Sequence, residues 1–177
     1  VLGYDINDKA FEDLKHNKIE KINDLKSLTE KSDIIITMLP DGPAVKKVWQ
    51  EIISHSRPRQ YLIDCSTIDV KTSILIQKEA QARNLFTLDA PVSGGVIGAN
   101  DGTLTFMTGG NVETYNEVKF LFDIMGKKSI LCGDIGSGQS AKICNNMLLA
   151  TTMIAVGESF NLGKNLGLDL NKLFDVI

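Results

Sequence analysis

The feature that most constrains the fold is a series of short, almost entirely apolar segments that alternate with longer segments of helical spacing. Short apolar runs bounded by Gly, Pro, Asp or Ser are typical of strands buried on both faces. The predicted strands are Val1–Asp5, Ile34–Pro40, Tyr61–Ser66, Leu85–Ala90, Leu104–Thr108 and Ser129–Cys132. The predicted helices are Ala44–Ile53, Val70–Arg83 and Val112–Met125, with one more from Asn7 or Asp8 to about Asn17.

This alternation predicts an α/β fold with a mostly parallel sheet covered by helices on both faces. In such sheets, ligands bind beyond the carboxyl ends of the strands. We therefore take the residues at those ends as candidates for a functional site. They are Asp5, Leu39-Pro40, Ser66-Thr67 and Ser93-Gly94-Gly95. The single tryptophan, Trp49, is predicted to cover the edge of the sheet.

A long helix is predicted from Ser137 to about Leu166, with a further helix starting at Asp169. The helix that begins at Ser137 is longer than a crossover connection requires, and no strand-like segment follows it. We therefore expect a sheet domain at 1–135, and at 136–177 a connecting helix that begins a second, all-helical domain. The apolar side chains of the long helix are predicted to pack against other helices. They are Met147, Leu148, Leu149, Met153 and Ile154.

Composition argues against several classes of partner. The formal net charge is −3, so there is no basic excess to bind nucleic acid or an anionic membrane. No apolar run reaches the ~18 residues of a membrane span. The three cysteines are scattered and odd in number, which favours a reducing compartment and predicts no metal site. Because residue 1 is Val and lies in a predicted strand, we expect preceding residues and identify no targeting segment.

Asp5 is a candidate cofactor residue. In a dinucleotide-binding fold, an acid at the end of the second strand accepts hydrogen bonds from the adenosine ribose and repels a 2′-phosphate. The following Ile6, Asn7 and Asp8 supply no Arg to bind such a phosphate, so NAD is favoured over NADP. The glycine fingerprint of that fold would lie about twenty residues upstream, before Val1. The alternative hypothesis is that Asp5 only caps the next helix.

Ser93-Gly94-Gly95 is a candidate anion site. A serine hydroxyl and glycine amides at a strand end can bind a carboxylate, because glycine allows close approach of the backbone. The alternative is an ordinary tight turn.

Lys142 and Asn146 form a candidate catalytic pair on the long helix. Residues four apart share one helical face, with Cβ atoms roughly 5–6 Å apart. Interconversion of an alcohol and a carbonyl needs a group that exchanges the hydroxyl proton, and a lysine of lowered pKa can do this. The nearby helix N-terminus and desolvation would both lower the pKa of Lys142. Taken alone, this spacing is common and rarely functional.

Five segments, in order, resemble the β-hydroxyacid dehydrogenase family. They are Ile36-Thr-Met-Leu-Pro40, Asp64-Cys-Ser-Thr-Ile-Asp69, Asp89-Ala-Pro-Val-Ser-Gly-Gly95, Leu104-Thr-Phe-Met107 and Gly138-Gln-Ser-Ala-Lys-Ile-Cys-Asn-Asn-Met-Leu-Leu149. The resemblance implies a Rossmann-type domain, a long connecting helix and an all-helical domain.

The resemblance also implies roles for single residues. Lys142 would be catalytic, and the substrate would be bound by Ser93, Gly94, Gly95 and Asn146. The NAD site would be lined by Asp5, Ile6, Leu39, Pro40 and Thr67.

The implied activity is NAD-dependent oxidation of (S)-3-hydroxyisobutyrate to methylmalonate semialdehyde in valine catabolism, with Lys142 handling the hydroxyl proton during hydride transfer. The implied assembly is a homodimer or larger homo-oligomer formed through the helical domain. The implied location is the mitochondrial matrix in a eukaryote and the cytoplasm otherwise. Two alternatives stay open: an NADPH-dependent semialdehyde or glyoxylate reductase of the same family, and a non-catalytic relative that binds dinucleotides or mediates assembly.

Overall fold

A computed structural model of the chain describes residues 1–12 and 18–177. The strands in this part are β1 (Leu2–Gly3), β2 (Glu20–Lys21), β3 (Ile34–Thr37), β4 (Tyr61–Asp64), β5 (Phe86–Asp89), β6 (Val92–Ser93), β7 (Leu104–Gly110) and β8 (Gly126–Gly133). The helices are α1 (Leu25–Lys31), α2 (Gly42–His55), α3 (Val70–Gln81), α4 (Gly95–Asn100), α5 (Val112–Met125), α6 (Ser137–Asn165) and α7 (Leu170–Val176).

Six strands form one mixed sheet in which most neighbours are parallel. β3, β4 and β5 are parallel and adjacent, and β7 is parallel to β8. β5 and β6 both pair antiparallel with β7. β6 therefore continues in the direction of β5, and it ends at the edge of the sheet where β3, β4 and β5 have their carboxyl ends. We call this the carboxyl edge. The predicted α/β fold with a mostly parallel sheet is confirmed.

The helices cover both faces of this sheet, as neighbouring residues on β4 show. Leu62 belongs to a core cluster with Ile52 of α2 and Ile76 of α3. Ile63, which follows it, belongs to a second cluster with Phe122 of α5. Because successive side chains of a strand point to opposite faces, the two clusters lie on opposite sides of the sheet.

Trp49 corrects one prediction. It does not cover the edge of the sheet, because its side chain is completely buried in the first core cluster. Its indole Nε1 donates a hydrogen bond to Thr37 Oγ1 at 3.0 Å, which supplies the partner that a buried indole requires.

Aspartate and asparagine caps begin the main helices of the sheet region. Asp41, Asp69 and Asn111 each accept a hydrogen bond from the backbone N–H three residues further on, at the starts of α2, α3 and α5. The predicted bounds of these helices agree with the observed ones to within two residues. Four elements were not predicted: β2 and β6 have only two residues each, α1 is largely polar, and α4 begins in a glycine pair.

The first residues differ from the prediction. The strand expected at Val1–Asp5 is limited to Leu2–Gly3, which are half-buried, and β1 pairs with β2 in a separate two-stranded sheet. A 3₁₀ helix follows at Asp8–Phe11, with Asn7 as its cap. The rest of the helix predicted up to about Asn17 lies outside the described residues.

The chain forms two compact units, Val1–Ala141 and Lys142–Ile177. In the second unit α6 continues through Gly157 and Gly163, and α7 packs against it. A Cβ at Gly163 would lie 2.6 Å from Leu173 Cδ2, so this glycine permits the contact between the helices. Met147, Leu148, Leu149, Met153 and Ile154 are all exposed in this chain, so their packing against other helices stays a prediction. In the described part of the chain, no helix has the length and apolar character needed to cross a membrane.

Candidate active site

Ser66 connects two of the predicted cofactor segments at the carboxyl edge. It lies just beyond β4, and its side chain is fully buried. Its hydroxyl donates to Asp64 Oδ1 at 2.6 Å and accepts from the backbone N–H of Leu39 at 2.8 Å. The structure therefore places the Leu39-Pro40 turn directly beside Ser66-Thr67.

Asp64 is the residue that accepts the hydrogen bond from the Ser66 hydroxyl. Its Oδ1 also accepts from Thr37 Oγ1 at 2.8 Å and from the backbone N–H of Ser66 at 3.2 Å. Oδ2 has no hydrogen-bond partner among the described residues. Burial raises the pKa of the Asp64 carboxyl, and the hydrogen bonds from Ser66 and Thr37 oppose that rise.

Asp89, the register partner of Asp64 on β5, binds the first turn of α6. Its Oδ1 accepts from the backbone N–H of Gly136 at 2.7 Å and from Gln77 Nε2 at 3.0 Å. Its Oδ2 accepts from the backbone N–H of Gln139 at 2.9 Å. Burial raises the pKa of Asp89, although these hydrogen bonds favour its charged form. The carboxylate thus caps α6 from a distant strand, a favourable place for negative charge.

The side chain of Gln139, in the first turn of α6, contacts the loop that follows β4. Its side chain is completely buried. Nε2 donates to the carbonyl oxygen of Ser66 at 2.7 Å, and Oε1 accepts from the backbone N–H of Ile68 at 3.1 Å. The residue between these two, Thr67, is exposed. Gln139 therefore fixes the backbone on both sides of a predicted cofactor residue.

The predicted carboxylate site lies at the same edge, at the end of β6. Ser93 is half-buried and pairs with Thr105 of β7. Gly94 and Gly95 follow with φ of +132° and +63°, conformations that favour glycine. Both residues are exposed, and a Cβ at Gly95 would meet nothing within 4 Å. This open glycine turn fits either interpretation of the segment, so carboxylate binding stays a prediction.

Asp5 and Ile6 lie in a different part of the first unit. Both are exposed and follow β1, outside the six-stranded sheet. Asp5 Oδ1 accepts from the backbone N–H of Asn7 at 2.7 Å. The cap of the following 3₁₀ helix is Asn7, which accepts from Lys9 N, so Asp5 is not that cap.

Lys142 and Asn146 belong to the second unit, on α6. Lys142 is half-buried and Asn146 is exposed. Burial lowers the pKa of Lys142, the direction that a proton-transfer role requires. Asn146 Oδ1 accepts a long hydrogen bond from Asn145 Nδ2 at 3.4 Å. Their catalytic and substrate-binding roles remain predictions.

The residues present have the chemistry that dinucleotide contacts require. Thr67 offers an exposed hydroxyl, Asp5 an exposed carboxylate, and Met38 to Pro40 a partly exposed apolar turn. The hydrogen bonds that make Ser66, Asp89 and Gln139 supporting residues were not predicted, although Ser66 was a strand-end candidate and the other two lie in quoted segments of the sequence. One signal was available, since two neighbouring apolar strands each end in aspartate, at Asp64 and Asp89.

An α/β sheet with polar and apolar loops at its carboxyl edge defines a dinucleotide-binding class of protein, and comparison with known proteins specifies the family. Residues 1–133 match the model of the NAD binding domain of 6-phosphogluconate dehydrogenase. Residues 136–177 match a second model, the NAD-binding domain of NADP-dependent 3-hydroxyisobutyrate dehydrogenase. The chain therefore belongs to the β-hydroxyacid dehydrogenase family, which includes the 3-hydroxyisobutyrate dehydrogenases.

Individual relatives agree with this assignment. The mitochondrial 3-hydroxyisobutyrate dehydrogenase of Mus musculus is 39% identical over 180 residues, covering 100% of this chain and 54% of the mouse protein. That of Drosophila melanogaster is 44% identical over 151 residues, covering 85% and 47%. The structure of Mycobacterium tuberculosis 3-hydroxyisobutyrate dehydrogenase with L-serine superposes with a TM-score of 0.95 at 38% identity, covering 100% of this chain and 61% of that one. The chain spans about half the length of the curated relatives it matches.

Proposed function

We propose that the full-length protein is an NAD-dependent 3-hydroxyisobutyrate dehydrogenase, which oxidises (S)-3-hydroxyisobutyrate to methylmalonate semialdehyde in valine catabolism. The observation that carries this proposal is the match of the whole chain to the M. tuberculosis dehydrogenase, with a TM-score of 0.95. The ligand named for that structure, L-serine, is itself a 3-hydroxy acid. Residues 1–135 would form the NAD-binding domain, and 136–177 would connect it to a helical domain that mediates homo-oligomerisation.

Each predicted residue has a role in this reaction. The substrate carboxylate would bind to the hydroxyl of Ser93 and the amides of Gly94 and Gly95. Lys142 would enter the reaction as a neutral amine and take the hydroxyl proton, and Asn146 would hold the substrate oxygen. NAD held at the dinucleotide site would supply the hydride acceptor for the carbinol carbon. The lowered pKa of Lys142 supports its role, because a larger fraction of the amine is neutral at a given pH.

NAD is proposed as the cofactor because of Asp5. An exposed carboxylate at the end of β1 can accept hydrogen bonds from ribose hydroxyls, and it repels a 2′-phosphate. Asp5, Ile6, Leu39, Pro40 and Thr67 would line the site. The matched model of residues 136–177 carries the name of an NADP-dependent enzyme, so an NADPH-dependent reductase of the same family is the second candidate.

A comparison of cofactors in the full-length protein tests both candidates. The kcat/KM for (S)-3-hydroxyisobutyrate is measured with NAD and with NADP, in the wild type and in Asp5→Ala. We expect NAD to be preferred by at least about tenfold, and the preference to shrink in Asp5→Ala. Asp8→Ala is the matched control, because Asp8 is an exposed aspartate on the adjacent 3₁₀ helix. Wild-type preference for NADP would favour the reductase, and no turnover with either cofactor would reject the proposed reaction.

If the protein is eukaryotic, the mitochondrial matrix is the proposed location, in line with the mitochondrial relatives. If it is bacterial, the cytoplasm is proposed.

A further inference from the structure

Gln139 stands out because its burial and its hydrogen bonds are not explained by the roles assigned above. It is completely buried, yet it uses both ends of its amide on one short loop. The amide bonds to Ser66 O at 2.7 Å and to Ile68 N at 3.1 Å. This pair of bonds resembles the pairing between neighbouring strands, and it holds one tripeptide in a single conformation. Thr67 at its centre is the one member that is exposed.

The position of Gln139 is itself fixed. Its backbone N–H donates to Asp89 Oδ2 at 2.9 Å, and Asp89 Oδ1 accepts from Gly136 N at 2.7 Å. The neighbouring Gly138 has no room for a side chain, since a Cβ there would lie 2.3 Å from the carbonyl oxygen of Met107 and 2.7 Å from Asp89 Oδ2. The first turn of α6 is therefore seated at backbone contact distance on the sheet, and the Gln139 side chain has little freedom.

The loop held by Gln139 also holds the Leu39-Pro40 turn. Ser66 Oγ accepts a hydrogen bond from the backbone N–H of Leu39 at 2.8 Å, so the position of Leu39 depends on that of Ser66. One buried glutamine is thus linked to two exposed or half-buried segments at the carboxyl edge. Preorganisation of this kind is how supporting residues raise affinity without touching a ligand.

We propose that Gln139 is a positioning residue of the dinucleotide site, which holds Ser66 and Ile68 so that Thr67 is presented to the cofactor. This inference rests on the proposed function, because it assumes that Thr67 contacts a dinucleotide. Gln139 does not touch the cofactor and acts through the loop.

Gln77 provides a matched control. It is another completely buried glutamine in contact with the same aspartate, through Nε2 and Asp89 Oδ1 at 3.0 Å. Its other hydrogen bond is to Ser73 Oγ of its own helix, at 3.2 Å. Substitution by methionine removes the amide of either glutamine at nearly constant volume. A purely structural role predicts similar results for Gln77→Met and Gln139→Met, whereas a positioning role does not.

The test measures NAD binding to the full-length protein by fluorescence titration, together with the melting temperature. We expect Gln139→Met to raise the Kd for NAD about tenfold, through loss of two hydrogen bonds that order the loop. We expect Gln77→Met to raise it less than about twofold. Gln139→Glu keeps the length and the acceptor for Ile68 N but cannot donate to Ser66 O, so it also weakens binding. This second variant decides the question if Gln139→Met does not fold.

Coupling to Thr67 supplies a readout that stability alone would not change. In a Thr67→Ala background, Gln139→Met should raise the Kd for NAD by less than about twofold, because the contact that Gln139 positions is already absent. An equal increase in both backgrounds, or an equal increase in Gln77→Met, would overturn the positioning role. A wild-type protein that binds neither NAD nor NADP would instead reject the proposed function. Wild-type binding that is insensitive to both Gln139 substitutions would reject only this inference.

Discussion

Two groups of residues at the candidate site differ in what their polar atoms do. The first group is buried and bonded within the protein; we call these the support residues, and they are Thr37, Asp64, Ser66, Asp89 and Gln139. The second group is exposed or half-buried; we call these the candidate contact residues, and they are Thr67, Ser93, Gly94, Gly95, Lys142 and Asn146. Candidate ligand contact and structural support are thus assigned to different residues.

Substitutions in these two groups of residues should have different effects. A support residue holds backbone groups that would otherwise be unpaired in the core, so its loss should lower the free energy of unfolding. A contact residue would act on a ligand, so its loss should lower turnover or affinity by more than any change in stability explains. Removal of a support residue's hydrogen bonds with no change in the free energy of unfolding would contradict the comparison.

The largest effect is expected at Lys142, a contact residue. Lys142→Arg keeps the positive charge but cannot supply a neutral amine, because the guanidinium pKa is above ~12. We expect kcat for alcohol oxidation to fall at least ~100-fold in the full-length protein. Lys164→Arg, an exposed position on the same helix α6, is the control. A kcat within about threefold of wild type would refute proton transfer by Lys142.

The pH profile sharpens the same prediction. Oxidation needs the neutral amine, so kcat/KM should decrease as the pH falls through the pKa of Lys142 in the folded protein. Because burial lowers that pKa, the decrease should lie below the ordinary lysine value of ~10.4. The profile is measured from acidic to alkaline pH at saturating NAD, and this limb should be absent from the residual activity of Lys142→Arg.

The next largest effect is expected at Asp89, a support residue. All three hydrogen bonds given for the Asp89 carboxylate come from N–H donors, on Gly136, Gln139 and Gln77. In Asp89→Asn the amide nitrogen would face a donor in either orientation, so at least one buried bond is lost. We expect a loss of about 2 kcal/mol in the free energy of unfolding at pH 7, which outweighs the relief of a buried charge. Urea denaturation measures it, with the exposed Asp101→Asn as control.

The candidate contact residues were expected from local sequence pattern and their contacts stay predictions, whereas the hydrogen bonds of the support residues appear only in the structure. Several candidate contact residues follow the ends of apolar strands, and strand ends can be read from short-range pattern, as at Thr67 and Ser93-Gly94-Gly95. The support residues depend on long-range contacts. Gln139 and Ser66 are 73 residues apart in the chain, and no local pattern indicates that they meet.

The secondary-structure elements, too, were predicted only where the local sequence pattern is strong. Strands and helices with strong periodicity, such as β3 and α5, were predicted near their observed bounds. The two-residue strands β2 and β6 exist only through their partners and leave no pattern of their own. Trp49 was assigned to the sheet edge as the single tryptophan of the chain, without use of its helical spacing. Its helical position places it with Val45 and Ile52 on the buried face of α2.

The smallest effect is expected at Asp64, the register partner of Asp89, and it tests whether all buried carboxylates at this edge act alike. All of the hydrogen bonds to the Asp64 side chain given by the structure end on Oδ1, from Thr37 Oγ1, Ser66 Oγ and Ser66 N. Oδ2 has no partner in the described part of the chain. Asp64→Asn can therefore keep its carbonyl oxygen at Oδ1 and place the amide nitrogen where no donor opposes it. We expect a change within ~1 kcal/mol at pH 7, well below the loss in Asp89→Asn.

The pH dependence of stability gives Asp64 a signature of its own. Burial raises the pKa of Asp64 above its unfolded value of ~3.9, so the folded state holds the proton more tightly than the unfolded state. Its stabilising contribution is full below the unfolded pKa and is lost as the pH rises through the folded pKa. The free energy of unfolding in urea should therefore decrease less between mildly acidic and neutral pH in Asp64→Asn than in the wild type. Part of the decrease should remain, because the raised pKa of Asp89 acts with the same sign. An unchanged slope would contradict the raised pKa of Asp64, and a loss as large as that in Asp89→Asn would show that the two carboxylates are equivalent supports.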